Sequence, residues 1–222
     1  MKRKEFESNL YNAVDIWGNY SKAQICILLG DAVGQMVGYQ QCNPHHCYDL
    51  FQHTLHTVDG IPKEASVLLK TAAFFHDVGK PEVARKKQER LVFYGHAKKS
   101  AMLAKPVLEM LEYSEDEIAE ITFYIEHHDD FISWNLKNDE FERLNQLGQE
   151  ITEANLEKHI EKMNKKQINY IPKIEQWKNL MLLCRADVSA QAEITLQNGE
   201  IIETKEHKLK KVEALIECLK NL

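Results

Sequence analysis

Phe74-Phe75-His76-Asp77-Val78-Gly79-Lys80-Pro81 closes an apolar segment with two groups that are expensive to bury. Ala72, Ala73, Phe74 and Phe75 suit a buried helix, and Gly79 with Pro81 supplies an ordinary stop signal. A neutral imidazole beside a carboxylate at a dry helix end needs a partner, and a metal ion is the least costly one. His-Asp is a common pair by chance, so its weight depends on what accompanies it elsewhere in the chain.

Outward from that segment the chain reads as helical nearly throughout. Only 9 Gly and 5 Pro punctuate 222 residues, so elements are long and turns few. Periodicity predicts helices over about 5–16, 22–37, 48–59, 63–77, 97–113, 115–128, 136–148, 152–167, 172–193 and 205–221. Pro106 is expected to kink or interrupt one of them. Asn198–Gly199 suggests a short hairpin or turn near residues 194–203. Glu153 to Lys166 is highly charged and reads as a solvated helix face. No repeat or low-complexity linker divides the sequence. The expected fold is all-α, a single-domain helical bundle over residues 1–222 with a metal site in its core.

Composition narrows the function classes. Hydrophobic residues at 44% and charged residues at 28% are ordinary for a globular protein. A net charge of −6 argues against broad capture of duplex nucleic acid, although a local basic patch could hold a strand end. No apolar run is long enough to span a membrane. The start Met1-Lys2-Arg3-Lys4 is basic but has no apolar segment behind it, so no signal peptide is expected. Five Cys is an odd number and none forms a Cys-x-x-Cys pair, which suits a reduced cytoplasmic protein.

Candidate ligands fall at helix ends and along apolar stripes. Phe51, Leu55 and Val58 define the buried face of the helix that carries His53, with His53 at the border of the core and His56 on the surface side. Trp177, Leu180, Cys184 and Asp187 lie on one stripe, which places a carboxylate at its end where a cation is the natural partner. Arg185 does not face Asp187 on a helix. Ile118, Ile121, Ile125 and His128 repeat the pattern, while His127 points away, although a frayed helix end would let both reach a metal. His96 follows Gly95 at a helix start, where free N–H groups favour a phosphate oxygen, or where a His simply sits at the surface. Lys80 is either a solvated helix-end lysine or a cation aimed at substrate phosphate. Cys42-Asn43-Pro44-His45-His46-Cys47 invites a zinc reading but lacks Cys-x-x-Cys geometry, so His45 and His46 read better as pocket walls. Cys26, Cys184 and Cys218 occupy apolar helical positions and read as core.

The order His53, His76–Asp77, His96, His127–His128, Asp187 resembles the HD-domain superfamily of metal-dependent phosphohydrolases. It is most similar to the HD domain attached to bacterial CCA-adding tRNA nucleotidyltransferases. Asn43-Pro44-His45-His46-Cys47-Tyr48-Asp49-Leu50-Phe51-Gln52-His53, Phe74 to Pro81, Phe93-Tyr94-Gly95-His96 and Arg185-Ala186-Asp187 carry the likeness, over about residues 43–191. Residues 1–42 contain neither the Gly-rich stretch nor the paired Asp of a nucleotidyltransferase head, so the resemblance implies a free-standing HD domain. The Gly-Tyr-Pro signature of cyclic di-GMP enzymes is absent after Asp130, where Phe131-Ile132-Ser133-Trp134 stands.

The resemblance implies that His53, His76, Asp77 and Asp187 hold one metal, with Asp77 bridging to a second held by His96 with His128 or His127. Mixed imidazole and carboxylate ligands suit one or two ions of Mn, Fe, Co, Ni or Zn better than Mg. Catalysis is assigned to Asp77, Lys80 and His96, and substrate contact to Lys80, His45, His46 and Arg85. The basic run of Arg85, Lys86 and Lys87 could equally be a solvated loop. The reaction implied is hydrolysis of a phosphomonoester, a nucleotide or a 2′,3′-cyclic phosphodiester, with a nucleotide or an RNA 3′ end as the phosphorylated partner and no membrane. The alternatives are a catalytically silent nucleotide- or metal-binding regulatory module and an HD-type di-iron oxygenase.

Overall fold

Capping side chains and short apolar faces set the elements of this chain. The computed structural model describes residues 1–134, 136–137, 149–168, 170–193 and 205–222. It opens with α1 (Arg3–Asn9), a 3-10 turn (Leu10–Asn12) and α2 (Ala13–Trp17). Helix α3 (Lys22–Leu29) starts on a capping box between Ser21 and Gln24 and ends at Gly30, after which comes α4 (Asp31–Gly34). The continuous helices expected over 5–16 and 22–37 are therefore both interrupted. The second breaks because Gly30 adopts φ +89, which no helical residue holds.

Helix α5 (Leu50–Gly60) starts where the Asp49 carboxylate accepts from Gln52 N–H, and α6 (Val67–Phe75) where Ser66 Oγ accepts from Leu68 N–H. A single turn, α7 (Lys80–Val83), leads into an antiparallel hairpin of β1 (Arg85–Lys87) and β2 (Arg90–Val92). Its register sets Arg85 opposite Val92, Lys86 opposite Leu91 and Lys87 opposite Arg90. In sequence this segment is only a basic run, because a three-residue strand of cations shows no apolar alternation. Next come α8 (His96–Met110), α9 (Glu115–His127) on a Ser114–Glu117 capping box, and α10 (Asp130–Ser133). Helix α8 runs through Pro106. Met102, whose carbonyl loses its donor there, is exposed, so water can replace the missing bond.

Strands β3 (Leu136–Lys137) and β4 (Gln149–Glu150) pair in parallel, so the helix expected from 136 does not begin there, and 138–148 lie outside the described residues. The chain continues with α11 (Glu153–Asn164), α12 (Ile174–Ser189) and α13 (Lys205–Lys220). The hairpin expected near 194–203 lies outside the described residues. Apart from two short ladders, the fold of the described residues is all-α. Among the described residues no helix is long and apolar enough to cross a membrane.

One hydrophobic cluster runs from Phe6 on α1 to Leu219 on α13. Phe6 meets Phe74 edge-on with centroids 5.3 Å apart, and Trp17 packs on Phe74 at the same distance. The end of α6 is thereby pinned inside the core, because its two phenylalanines are wedged between α1, α2 and α5. Gly79 then lets α8 approach. A β-carbon there would stand 2.6 Å from Ser100 N and 2.9 Å from His96 O, and the Gly79 N–H instead donates to Ser100 Oγ at 2.9 Å. Gly95, at φ +79, turns the chain from the hairpin into α8. These two glycines bring Asp77 and His96 together.

Candidate metal centre

Helices α5, α6, α9 and α12 deliver their histidines and acids to one buried point. His53 and His76 are completely buried, as are Asp77 and His128 within 2%. His53 therefore lies deeper than the core border that helical periodicity suggested, because α5 is covered on nearly all sides. His53 Nε2 lies 2.9 Å from Asp187 Oδ1 and 3.6 Å from Asp77 Oδ2. His76 Nε2 lies 3.2 Å from Asp77 Oδ2 and 3.7 Å from Asp187 Oδ1. On the other side of the same carboxylate, Asp77 Oδ1 lies 3.3 Å from His96 Nε2 and 3.8 Å from His128 Nε2. Those two ring nitrogens are 3.2 Å apart, and Asp129 Oδ2 reaches within 3.7 Å of His96 Nε2.

Each imidazole is oriented by its other nitrogen. Nδ1–H donates to the carbonyl of Ala190 from His53, Ala73 from His76, Phe93 from His96 and Ile125 from His128. In that tautomer every Nε2 presents a lone pair to the centre, facing carboxylate oxygens that are also acceptors. His53 Nε2, His76 Nε2 and both Asp77 oxygens are buried with no hydrogen-bond partner. Lys80 Nζ approaches Asp77 Oδ2 at 2.6 Å as an ion pair, without the angle of a hydrogen bond. Lone pairs cannot converge this closely without a proton or a cation between them. The donor set fits divalent metal.

Protonation follows the same electrostatics. Burial alone would lower the His76 pKa, but Asp77 and Asp187 outweigh it and lift it to about 10. Burial likewise works against the Asp77 and Asp187 carboxylates, yet His76 with Lys80 holds the first, and His53 with His76 the second, well below the usual range. Without metal, a proton on His76 and the Lys80 ammonium balance the two carboxylates. Burial and neighbouring cations push His96 and His45 down to about 4 and His46 to about 2, so all three are neutral near pH 7.

The groups converge on an open cavity of about 400 Å³ lined by His45, His46, Lys80, Arg90, Phe93 and Lys208, among others. Lys80 Nζ donates to Gln41 Oε1 at 3.0 Å and faces His46 Nε2 at 3.5 Å. Two proposed residues are placed elsewhere. His127 donates Nδ1–H to Asp130 Oδ2, accepts at Nε2 from Gln167 Nε2–H, and lines a separate cavity with Phe123 and Tyr170. Adjacent helical residues point about 100° apart, so the fold spends only His128 on the metal side. Arg85 is exposed on β1 and is not among the cavity residues, which instead include Arg90. Cys42 and Cys47 are exposed and free, and join no metal-ligating cluster among the described residues. Cys184 is buried, while Cys26 and Cys218 are only half-buried.

Sequence reasoning missed Asp129, Gln191 and Lys208. Asp129 follows His128 and its residue type alone could have flagged it. Lys208 Nζ donates to Gln191 Oε1 at 3.0 Å, and Gln191 Nε2 reaches Asp187 Oδ2 at 3.5 Å. No local pattern could reveal that a lysine of α13 reaches this pocket.

The family model of the HD domain matches residues 45–191, the span from the His45–His46 loop through Asp187. The chain belongs to the HD domain family. HD domains bind divalent metals, and the family consists mostly of metal-dependent phosphohydrolases. The chain is also 33% identical over 100 residues to the CC-adding tRNA nucleotidyltransferase of Thermus thermophilus. That match covers 43% of this chain and 23% of the relative, so the chain spans about a quarter of the length of the curated protein it matches.

Proposed function

We propose that this HD domain hydrolyses a phosphoester: a phosphomonoester, a nucleotide or a 2′,3′-cyclic phosphodiester such as an RNA 3′ end. One observation carries the proposal. The Asp77 carboxylate turns Oδ2 to His53 and His76 and Oδ1 to His96 and His128, so it could serve both halves of the cluster if two cations were bound. His53, His76, Asp77 and Asp187 would hold one ion, and Asp77, His96, His128 and Asp129 a second; their mixed nitrogen and oxygen donors suit Mn, Fe, Co, Ni or Zn. Such ions lower the pKa of bound water towards ~7 and neutralise phosphoryl oxygens.

The chain's own residues do the rest. Lys80, already anchored by Gln41, points its ammonium at the Asp77 end of the cavity, where it can meet a phosphoryl oxygen. His45 and His46 act as neutral hydrogen-bonding walls, because burial keeps them unprotonated. Arg90 and Lys208 add positive charge at the cavity wall for an anionic substrate. Backbone-anchored imidazoles need no reorganisation before reaction, which conserves the geometry that transfer demands. The chain's five free cysteines suit a reducing cytoplasm.

The test is phosphate release from monoesters, mononucleotides and 2′,3′-cyclic nucleotides by chelated protein reconstituted with each ion in turn. Turnover by the loaded wild type that disappears in Asp77→Ala supports the proposal. Oxygen consumption with iron and no phosphate release would replace it with oxygenase chemistry.

A further inference from the structure

The β1–β2 hairpin is an exposed cationic ribbon on a chain whose net charge is −6. In an antiparallel pair, residues directly opposite one another share a face, and every second residue returns to it. The register therefore puts Arg85, Lys87, Arg90 and Val92 on one face, with Lys86 and Leu91 on the other. Arg90 and Val92 line the cavity of the metal centre, and Leu91 does not. The face carrying Arg85 and Lys87 is thus continuous with the cavity wall.

Three further observations bear on what this face meets. Lys87 stands directly opposite Arg90, a like-charge pair that costs stability unless an anion sits between them. Among the described residues no carboxylate forms an ion pair with Arg85, Lys87 or Arg90, although Glu89 stands in the turn. The hairpin is also fixed to the pocket: Leu91 N–H donates to Cys42 O and Asn43 Nδ2 to Leu91 O, each at 3.1 Å. Just beyond β2, Tyr94 lines the same cavity and is 69% exposed, an open aromatic face beside the cations. Cations tracking a backbone beside an aromatic platform is the combination that holds single strands.

We infer that the Arg85–Lys87–Arg90 face of the hairpin guides a single-stranded oligonucleotide, RNA or DNA, whose end enters the metal centre. The inference rests on the phosphoesterase reading for the fate of that end, but binding is measurable without turnover. Arg85 and Lys87 stand about 6.8 Å apart along β1, an interval suited to successive phosphates of a stretched strand.

The test is fluorescence anisotropy of labelled oligo-U and oligo-dT on chelated full-length protein across a salt series. Three phosphate contacts give a slope of log K against log salt near −2, at about −0.7 per contact for single strands. Lys87→Gln should remove about 0.7 of that slope and weaken binding about 5-fold at ~0.1 M salt. Lys86→Gln, on the opposite face, should change affinity less than ~2-fold. Binding of oligo-U, oligo-dT or both supports the inference and shows which nucleic acid the face takes. Equal losses in the two lysine variants, equal binding of an oligoglutamate, or no binding would each overturn it. Because the protein is chelated, absence of hydrolysis elsewhere leaves this result intact.

Discussion

Metal should stabilise this fold by an amount the site itself sets. The perturbation is addition of Mn, Ni or Zn to chelated protein, compared in the wild type, Asp187→Asn and His127→Ala. Ligands that bind only the folded state stabilise it by mass action, about 2.7 kcal/mol at an ion concentration of roughly 100 Kd. With an unfolding entropy of about 2.1 cal/mol/K per residue, the 222-residue chain gains about 6 °C in Tm. Asp187→Asn removes the carboxylate that His53 Nε2 meets at 2.9 Å and His76 Nε2 at 3.7 Å. If that weakens binding roughly 100-fold, the same ion concentration yields only about 0.4 kcal/mol, or ~1 °C. His127→Ala should keep the full shift, since His127 bonds Asp130 and Gln167 away from the cluster. Differential scanning calorimetry reads each shift against the variant's own chelated baseline. An Asp187→Asn shift as large as the wild type's, or a His127→Ala shift that vanishes, would refute the assignment of these ligands.

Other consequences can be checked separately. His76 is raised to about 10 without metal, so its ion pairs stabilise chelated protein fully below pH 6.5, and that contribution disappears as pH rises through about 10. Urea titrations of chelated protein should show this decline, and metal-loaded protein, with His76 neutral as a ligand, should not. Metal binding near pH 7 to the position held by His53, His76, Asp77 and Asp187 should release about one proton, from His76, read as buffer-dependent enthalpy in calorimetry. Gly79→Ala forces a β-carbon against Ser100 N and His96 O, both backbone, and should cost about 1–3 kcal/mol and weaken metal affinity as α8 is displaced. Glu117→Gln keeps the Ser114 cap but loses the ion pair with Arg3 at 2.6 Å. Arg3 holds the Glu117 carboxyl down to about 2, so the pair contributes above pH 4.5 and is lost as pH falls through 2. Solvent screening keeps that contribution to about 1 kcal/mol or less in an acid titration.

What the sequence revealed, and what it hid, divides along a physical line. His76–Asp77, Asp187 and His128 were legible because a polar residue on an apolar helical stripe stands out against the 3.6-residue period. His53 was harder, since α5 is covered almost all round and its periodicity marks only the densest part of the core. The hairpin at 85–92 was invisible for a different reason. Its pairing comes from a tight turn and from Cys42 and Asn43 tying down Leu91, neither of which leaves a local pattern of polarity. The break at Gly30 depends on a positive φ that a glycine permits without demanding. Lys208 reaches the site only because α13 packs on α12, a tertiary fact with no trace in nearby residues.

The placement of His76 and His128 joins folding to chemistry. Each is the residue that ends its helix, α6 in the first case and α9 in the second. A helix leaves its final carbonyls without intrahelical donors and carries a partial negative charge at that end. His76 Nδ1 bonds the Ala73 carbonyl and His128 Nδ1 the Ile125 carbonyl, each three residues earlier in the last turn. One hydrogen bond thus caps a buried helix end and fixes the tautomer whose Nε2 lone pair faces the centre. The two helix ends bring negative potential to the place where Asp77 and Asp187 already concentrate it. Replacing either histidine by leucine would fill the space yet leave a buried carbonyl without its donor, so fold stability and metal affinity should fall together. Asn at either position could retain the cap but not the inward nitrogen, and so should separate the two losses in one experiment.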